Sequence, residues 1–200
     1  MPGQPSTGRG RASRERIVTH AAELFAERGV TGTSLDDVLA AAGAGKGQFY
    51  HYFRSRDELV AAAVGLRCEQ VLTDLGAALG SVASMAGLAE ALTGFVQRFE
   101  QMGLPGCPIG TLATEVVENN EGARQHAAAA FDAWEKLFAD ALARIRERGE
   151  LRPDASPAHL ATALLASIEG GMVLSMTRKD PTSIRIAVDA GLAQIQRFGS

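Results

Sequence analysis

The amino-acid sequence predicts an all-α protein, and three observations support that prediction. Ala, Leu, Glu and Arg are abundant, β-branched residues show no strand-like alternation, and Gly or Pro recurs at intervals of about one helix length. The chain has 200 residues, 46% of them hydrophobic, and a formal net charge of -3. These values predict one globular domain, or a small domain joined to a larger one.

Composition and the N-terminal sequence exclude several classes of protein. Two cysteines, Cys68 and Cys107, are too few for a disulfide framework or a zinc set. No uninterrupted apolar run reaches the ~18–20 residues that span a bilayer. The basic start, MPGQPSTGRGRASRER, lacks the apolar core of a secretory signal. We therefore expect a cytoplasmic protein with free thiols and no membrane partner.

Caps and glycine stops predict the first two helices. Residues 1–12 are rich in Gly, Pro and Ser and predict a disordered basic tail. Ser13 is the expected cap of the first helix, and Gly29 is its expected stop. Ser34 and Asp37 have the spacing of a capping box at the start of a second helix.

The remaining helices follow from the same signals. A glycine-containing link at 43–46 leads to a short third helix over 47–53. A fourth helix begins at Ser55 or Asp57 and runs to about Leu79. Further helices are predicted at 85–102, 107–118, 121–148, 157–177 and 181–198.

The stretch TSLDDVLAAAGAGKGQFYHYFRSRDEL, residues 33–59, carries the most specific chemistry. Two short helices joined by a glycine-containing turn form a helix-turn-helix, whose second helix enters the DNA major groove. On a helix that starts near Lys46, Phe49 and Phe53 face inward. The side chains left largely outward are Lys46, Gln48, Tyr50, His51 and Tyr52.

The outward residue types suit DNA. Gln and Lys can bond base edges, Tyr and His can donate to phosphates, and Gly47 allows close backbone approach. Two residues keep alternative interpretations, since Tyr52 also suits half-buried packing and Arg56 a solvated helix start. Residues 1–60 have a charge balance of +1 and residues 61–200 one of -4. This asymmetry favours one end that contacts a polyanion, although a solvated basic tail explains it equally well.

The run AAGAGKGQFYHYFRSRDEL resembles the N-terminal DNA-binding domain of TetR/AcrR-type bacterial transcriptional regulators. Their pattern is Ala-Gly-Val-Ser-x-Gly-x-Leu-Tyr-x-His-Phe-x-x-Lys-x-x-Leu, and IVTHAAELFAERGVTGTSLDDV fits the preceding part. Gly45 stands where the family usually has a capping Ser or Thr. The resemblance covers roughly residues 13–65 and implies that Thr33, Tyr50 and Arg56 hold phosphates. It also implies that a further set faces bases or flanking phosphates: Lys46, Gly47, Gln48 and His51, with Tyr52 in the family's His position.

The resemblance implies a DNA-binding domain at 13–60 and a ligand-binding and dimerisation domain at 61–200. Aromatic stripes at helical spacing predict either core or a cavity for a small hydrophobic or aromatic effector. The join PGCPIGTLATEV is similar to a segment of the LmrA-like subset of the family. The candidate ligand residues are Phe95, Phe99, Met102, Cys107, Leu112, Glu115, Phe131, Trp134, Phe138 and Met172.

Two of these candidates also have simpler interpretations. Glu115 either orients a polar group of the ligand or is merely exposed. Cys107 is either an inert small hydrophobic residue or a redox sensor.

The last two helices carry apolar stripes with glycines inside them. Gly170-Gly171 costs roughly 1 kcal/mol per residue relative to Ala, a cost often accepted for close helix approach. A dimer built as a four-helix bundle explains it, and burial within one monomer is the alternative. The candidate interface residues are Leu164, Ile168, Gly171, Met172, Ser175, Val188, Leu192 and Ile195.

The sequence thus predicts a homodimeric, ligand-responsive repressor that binds a palindromic DNA operator and needs no cofactor or metal. An effector-independent or activating DNA-binding regulator is the alternative. A helical enzyme is a third hypothesis, and the sequence does not support it, because HExxH, GxSxG and CxxC are absent and the four His lack ligand spacing.

Overall fold

The computed structural model describes residues 8–200, and within that range it is all-α, as predicted. The described residues form nine helices and no strand, with one isolated antiparallel bridge between Leu151 and Gly199. The helices are α1 Gly8–Arg28, α2 Leu35–Ala41, α3 Lys46–Tyr52, α4 Arg56–Leu79, α5 Met85–Gln101, α6 Pro108–Val116, α7 Glu121–Glu147, α8 Pro157–Arg178 and α9 Thr182–Gln196.

Helix α1 begins earlier than the sequence predicts. Residues 8–12, expected to be disordered, are helical, while residues 1–7 of the predicted tail lie outside the described residues. Ser13 is not the cap, because it is buried within α1 and its hydroxyl accepts a hydrogen bond from Gln48. The arginines of this stretch have good helix propensity, which allows the helix to extend upstream.

The predicted caps of α2 and α3 are confirmed. The backbone N–H of Asp37 donates to Ser34 Oγ at 3.1 Å, and the N–H of Ser34 donates to Asp37 Oδ2 at 2.9 Å. The Ser34 hydroxyl also donates to Asp37 Oδ2, and this bond, together with the one from the Ser34 N–H, lowers the pKa of the Asp37 carboxyl below its ordinary value of 3.8. Gly43 has a φ of +58°, which glycine adopts readily. Gly45 caps α3 through its backbone conformation, without a side-chain hydrogen bond.

The helices group into two compact units that are not continuous in sequence. The first unit contains the chain through Gln70 together with Pro108–Ala130, and the second contains Val71–Cys107 together with Phe131–Ser200. Large aromatic and aliphatic side chains form each core. The first core includes Ile17, Phe49, Phe53 and Leu59, and the second includes Leu88, Trp134, Phe138, Leu142, Ile145 and Leu164.

Helix α8 is the one described helix that is long and apolar enough to cross a bilayer by length and composition. Its most apolar window has a mean hydropathy of 1.4, and 44% of that window is buried in the protein. Core helices of globular proteins meet the same test. Eight residues of α8 are buried, so we describe it as a core helix.

Candidate functional site

Helix α3 presents a polar face on an aromatic base. Phe49 and Phe53 are fully buried, and their stacked rings lie 5.4 Å apart between centroids. Tyr50 is 62% exposed, and Lys46 and His51 are also exposed. Two buried rings thus hold up a short helix whose outer side chains point to solvent. The structure brings these predicted DNA-binding residues together on one element.

Gly47, Gln48 and Lys46 belong to the same surface of α3 and differ in their contacts. A Cβ on Gly47 would meet nothing within 4 Å, so the backbone there is open to a close approach. Gln48 is half-buried, and its amide Nε2 donates to Ser13 Oγ of α1. This bond orients the Gln48 amide. Lys46 forms an ion pair with Asp36 at 3.0 Å, but both groups are well exposed. Such a pair is weak and readily exchanged for a phosphate.

Tyr52 does not belong to the exposed face. Its side chain is only 9% exposed, and its ring packs edge-on against His51 with centroids 5.0 Å apart. The expectation of an outward Tyr52 is therefore wrong, and the half-buried packing alternative is closer. The physical reason is position, since Tyr52 falls three residues after Phe49 on the inner side of the helix.

Thr33 and Arg56 both form hydrogen bonds with the loop before α2. Thr33 is 2% exposed, and its hydroxyl donates to the carbonyl of Gly29 at 2.8 Å. The half-buried Arg56 guanidinium donates to the carbonyls of Val30 and Thr33 and lies over the ring of Phe25. Thr33 is thus buried away from a phosphate-binding surface, and the phosphate contact expected of Arg56 stays a prediction. Backbone carbonyls in a loop need hydrogen-bond donors, and a sequence motif does not show which side chains supply them.

Glu115 has a role that the sequence did not suggest. Its Oε2 accepts hydrogen bonds from the backbone N–H groups of Val30 at 2.7 Å and Thr31 at 3.3 Å. A Cβ on Gly29 would lie 2.9 Å from that same oxygen, so glycine makes room for the carboxylate. Glu115 therefore anchors the α1–α2 loop within the first unit. Both sequence interpretations, a ligand contact and simple exposure, are corrected.

The second unit contains a small apolar cavity of about 20 Å³. Three predicted ligand residues line it, namely Phe95, Trp134 and Phe138. The indole of Trp134 packs against both phenylalanines at centroid distances of 6.4 and 6.3 Å. Trp134 is 2% exposed, and its Nε1 has no hydrogen-bond partner. Further lining residues are Leu75, Arg98 and Ile168.

Sequence reasoning missed the basic residue of this lining. Arg98 follows Phe95 by one helical turn on α5, so the same spacing that grouped the aromatics also points to it. Met102 was included for that spacing, but it caps the end of α5 and is 65% exposed. Its predicted place in a cavity is wrong because the helix ends before the stripe does.

The other predicted ligand residues pack outside the lining of this cavity. Phe131 is half-buried, and four more are buried: Phe99, Cys107, Leu112 and Met172. The Cys107 side chain is hydrogen-bonded with Glu169, whose carboxyl pKa is raised above its ordinary value of 4.5 by burial. Glu169 Oε1 has no partner in the described structure.

The predicted interface residues of α8 and α9 are buried within a single chain. A Cβ on Gly171 would lie 2.8 Å from Ala187 Cβ, which shows how closely the two helices approach. Ser175 Oγ accepts a hydrogen bond from the backbone N–H of Ile184 at 3.0 Å. Only Leu192 is half-buried, and the rest are buried: Leu164, Ile168, Gly171, Met172, Ser175, Val188 and Ile195. The monomer alternative is thus correct for this stripe, because α8 and α9 cover each other's apolar faces.

A different face of the same two helices is exposed and apolar. Val173 is 52% exposed, Leu174 45% and Ile186 62%. Small side chains extend the same exposed surface, and these are Ala166, Gly170, Ala190 and Ala193. Large exposed apolar side chains in a group are typical of an interaction surface.

The fold and the α3 surface define a class of protein, the helix-turn-helix DNA-binding regulators. Comparison with known proteins identifies the family within this class. The model for bacterial regulatory proteins of the TetR family matches residues 17–63, and the model for the LmrA/YxaF-like C-terminal domain of transcriptional regulators matches residues 84–190. The chain belongs to the TetR family of transcriptional regulators, as its sequence motifs predicted, and this family comprises regulators rather than enzymes.

Individual relatives agree along most of the chain. An uncharacterized HTH-type transcriptional regulator, YxaF of Bacillus subtilis (strain 168), is 30% identical over 88% of this chain and 92% of its own length. The HTH-type transcriptional repressor DhaR of Mycobacterium sp. (strain GP1) is 29% identical over 80% of each chain. A TetR transcriptional regulator of Chloroflexus aurantiacus has a similar structure, with a TM-score of 0.77, 27% identity and coverage of 96% of this chain and 98% of its own.

Proposed function

We propose that this regulator is a repressor that binds a palindromic operator as a homodimer and is released by a small hydrophobic effector. Residues 13–60 would bind DNA, and residues 61–200 would bind the effector and form the dimer. A bacterial regulator meets its operator in the cytoplasm, so we place the protein there. The name of DhaR describes a repressor, which supports this direction of regulation.

The exposed polar face of α3 is the observation that carries the DNA-binding part of the proposal. A major groove about 12 Å wide accommodates one helix. Lys46 and Gln48 are suited to base edges or the phosphates beside them, and the exposed hydroxyl and imidazole of Tyr50 and His51 are suited to phosphates. Gly47 lets the backbone come close without a side chain in the way.

The exposed apolar face of α8 and α9 supports a dimer. Joining two copies through Val173, Leu174 and Ile186 would remove these side chains from water. A two-fold dimer presents two α3 helices to major grooves about 34–36 Å apart, or a multiple of that spacing. Such a dimer explains a palindromic operator.

The dimer has a direct test with a matched control. We expect Ile186→Glu to shift the sedimentation of the full chain from dimer to monomer, because a buried unpaired carboxylate is costly. Val117→Glu should leave the dimer intact, since Val117 is similarly exposed at 47% but lies next to α6. A dimer that survives Ile186→Glu unchanged would exclude this face.

The effector part requires a ligand that distinguishes two conformations. A ligand releases DNA only if it binds more tightly to the conformation that does not bind DNA. The coupling free energy between the ligand site and the DNA site is usually about 1–3 kcal/mol. The aromatic cavity of Phe95, Trp134 and Phe138 is the candidate site.

The test of the whole proposal combines operator selection with footprinting. Selection from random duplexes should yield a palindromic sequence, and footprints should disappear when a hydrophobic compound from a panel is added. Protection that persists through the whole panel would favour the effector-independent alternative. Transcription that rises on binding would favour an activator.

A further inference from the structure

The aromatic cavity of the second unit lies beside a polar groove. Ala78, Ala91 and Arg98 line both the cavity and a groove of about 530 Å³ beside it. The groove lies along α5, where Gly87 and Gly94 replace larger side chains at helical spacing. The apolar cavity and the open groove therefore adjoin at these three residues.

Two hydrogen-bond donors in these linings have no partner among residues 8–200. Nε1 of Trp134 is buried in the cavity lining without an acceptor. Arg98 is exposed, its guanidinium forms no hydrogen bond or ion pair with any of residues 8–200, and its Nη1 would lie 3.4 Å from a Cβ on Gly94. The guanidinium thus extends along the groove at the cavity mouth. An unsatisfied buried donor such as Trp134 Nε1 is unusual in a native protein and is suited to an acceptor on a ligand.

The charge of the groove is positive on balance. Arg148 joins Arg98 in its lining, and Glu90 is the single acidic residue among the described lining residues. The lining of the cavity contains no carboxylate, and the carboxyl of Glu169 is hydrogen-bonded with Cys107. This local excess of positive charge lies in a part of the chain that is acidic overall, since residues 61–200 carry a balance of -4.

We propose that the effector is a small organic monoanion, with an apolar body in the cavity and a carboxylate at its mouth between Trp134 Nε1 and Arg98. This inference rests on the proposed function, because it specifies the chemistry of the effector site. Arg98 would provide a charge-assisted hydrogen bond, and Trp134 a neutral one. Arg148 would add long-range attraction at the open end of the groove.

Entry of the apolar body must enlarge the cavity. Its volume of about 20 Å³ suits no more than a water molecule. Phe95 is half-buried, whereas Trp134 and Phe138 are each only 2% exposed, so Phe95 is the aromatic side chain of the lining with the most room to turn aside. A ligand that opens the cavity binds one conformation preferentially, as the release of DNA requires.

The chain offers a direct signal for this site, because Trp134 is its only tryptophan. We would titrate the full-length protein with octanoate, octanamide and n-octylammonium, which share one apolar body, and record the tryptophan fluorescence. We expect octanoate to bind about tenfold more tightly than octanamide, the scale of one charge-assisted hydrogen bond. Octylammonium should bind most weakly of the three.

The variants separate the charge from the cavity. Arg98→Gln should remove the preference for octanoate and leave octanamide affinity unchanged, which also shows that the variant is folded. Lys136→Gln is the control, because it removes a positive charge from α7 at a side chain that is 72% exposed and lies outside both linings. This variant should keep the preference.

The possible outcomes distinguish the inference from the function on which it rests. Equal binding of octanoate and octanamide, or a preference for octylammonium, would contradict the proposal that the effector is a monoanion. The cavity would remain the candidate effector site. A preference that survives Arg98→Gln would overturn the role of Arg98. If all three compounds leave both the fluorescence and operator binding unchanged, while other hydrophobic compounds release DNA, the cavity itself is wrong and the ligand-responsive function stands.

Discussion

Helices α3 and α8 both carry apolar side chains at helical spacing, but the sequence predicted the exposed surface of α3 better than that of α8. In α3, seven residues long, Phe49 and Tyr52 are buried and most of the remaining side chains form an exposed polar face. In α8, 22 residues long, eight residues are buried and an apolar face remains exposed. Periodicity locates a buried stripe in each helix. It does not show what covers the stripe.

The covering element of the α8 stripe is α9 of the same chain. Gly171 and Gly191 allow this packing, since a Cβ on Gly191 would lie 2.6 Å from Leu164 Cδ1. In α3 the motif specified a use for the outward face as well. A sequence therefore identifies a surface more reliably when a motif constrains both faces of the helix.

The largest expected effect separates the two faces of α3. Phe49→Ala should lower the free energy of unfolding by about 3–5 kcal/mol, because it opens a cavity under the helix. Tyr50→Ala should change it by no more than about 0.5 kcal/mol, since that ring is exposed. Urea unfolding followed by circular dichroism measures both. Equal losses would show that α3 is not exposed on one side.

The next effect concerns the anchor that the sequence did not reveal. Glu115→Ala should cost about 1.5–3 kcal/mol, because the backbone N–H groups of Val30 and Thr31 lose a charged acceptor. We expect weaker operator binding as well, since α2 and α3 follow this loop. Glu118→Ala is the control, as Glu118 is exposed on the same stretch. Identical urea midpoints for the two variants would refute the anchor.

The packing of α8 on α9 gives a similar but smaller effect. Gly171→Ala should destabilise the protein by about 1–3 kcal/mol, because the added methyl meets Ala187 and Ile184. Gly76→Ala in α4 should instead stabilise it by about 1 kcal/mol, since a Cβ there meets nothing within 4 Å. Thermal unfolding of both variants decides the matter, and a stabilised Gly171→Ala would contradict the close approach.

The smallest effect is a pH dependence within α8. Burial raises the pKa of the Glu169 carboxyl above 4.5, so the folded state binds a proton more tightly than the unfolded state. The contribution of Glu169 to stability is therefore fully present below pH 4.5 and decreases as the pH rises through the folded pKa. Glu169→Gln should flatten this decline in unfolding free energies measured from pH 4 to 8. A decline as steep as in the unmodified protein would assign it to other groups.

Much of the fold followed from local signals in the sequence. The capping box of Ser34 and Asp37 and the glycine at position 43 gave the start and end of α2. The ends of later helices lie within about two residues of their prediction, because Pro and Gly mark them. The start of α1 was missed because a serine that resembles a cap is instead a buried partner of Gln48.

The candidate sites were less predictable because their side chains form hydrogen bonds with residues that are distant in sequence. Glu115 and Val30 are 85 residues apart in sequence, and no local pattern relates them. Thr33 and Arg56 match a motif, but in the structure both side chains donate hydrogen bonds to backbone carbonyls of the loop. Phe95 and Trp134 line the same cavity because aromatic spacing holds within each helix, whereas Met102 lies outside it because α5 ends there.

The most direct test of the central claim, that the exposed face of α3 reads DNA, is the salt dependence of operator binding. We would compare the unmodified protein with a Lys46→Ala, Tyr50→Phe double variant, using Lys136→Ala as a control of equal charge change. The double variant should bind less tightly, with a slope of log affinity against log salt shallower by about 1. The control should match the unmodified protein. Superimposable binding curves for the double variant and the unmodified protein would contradict the assignment of α3 as the helix that contacts DNA.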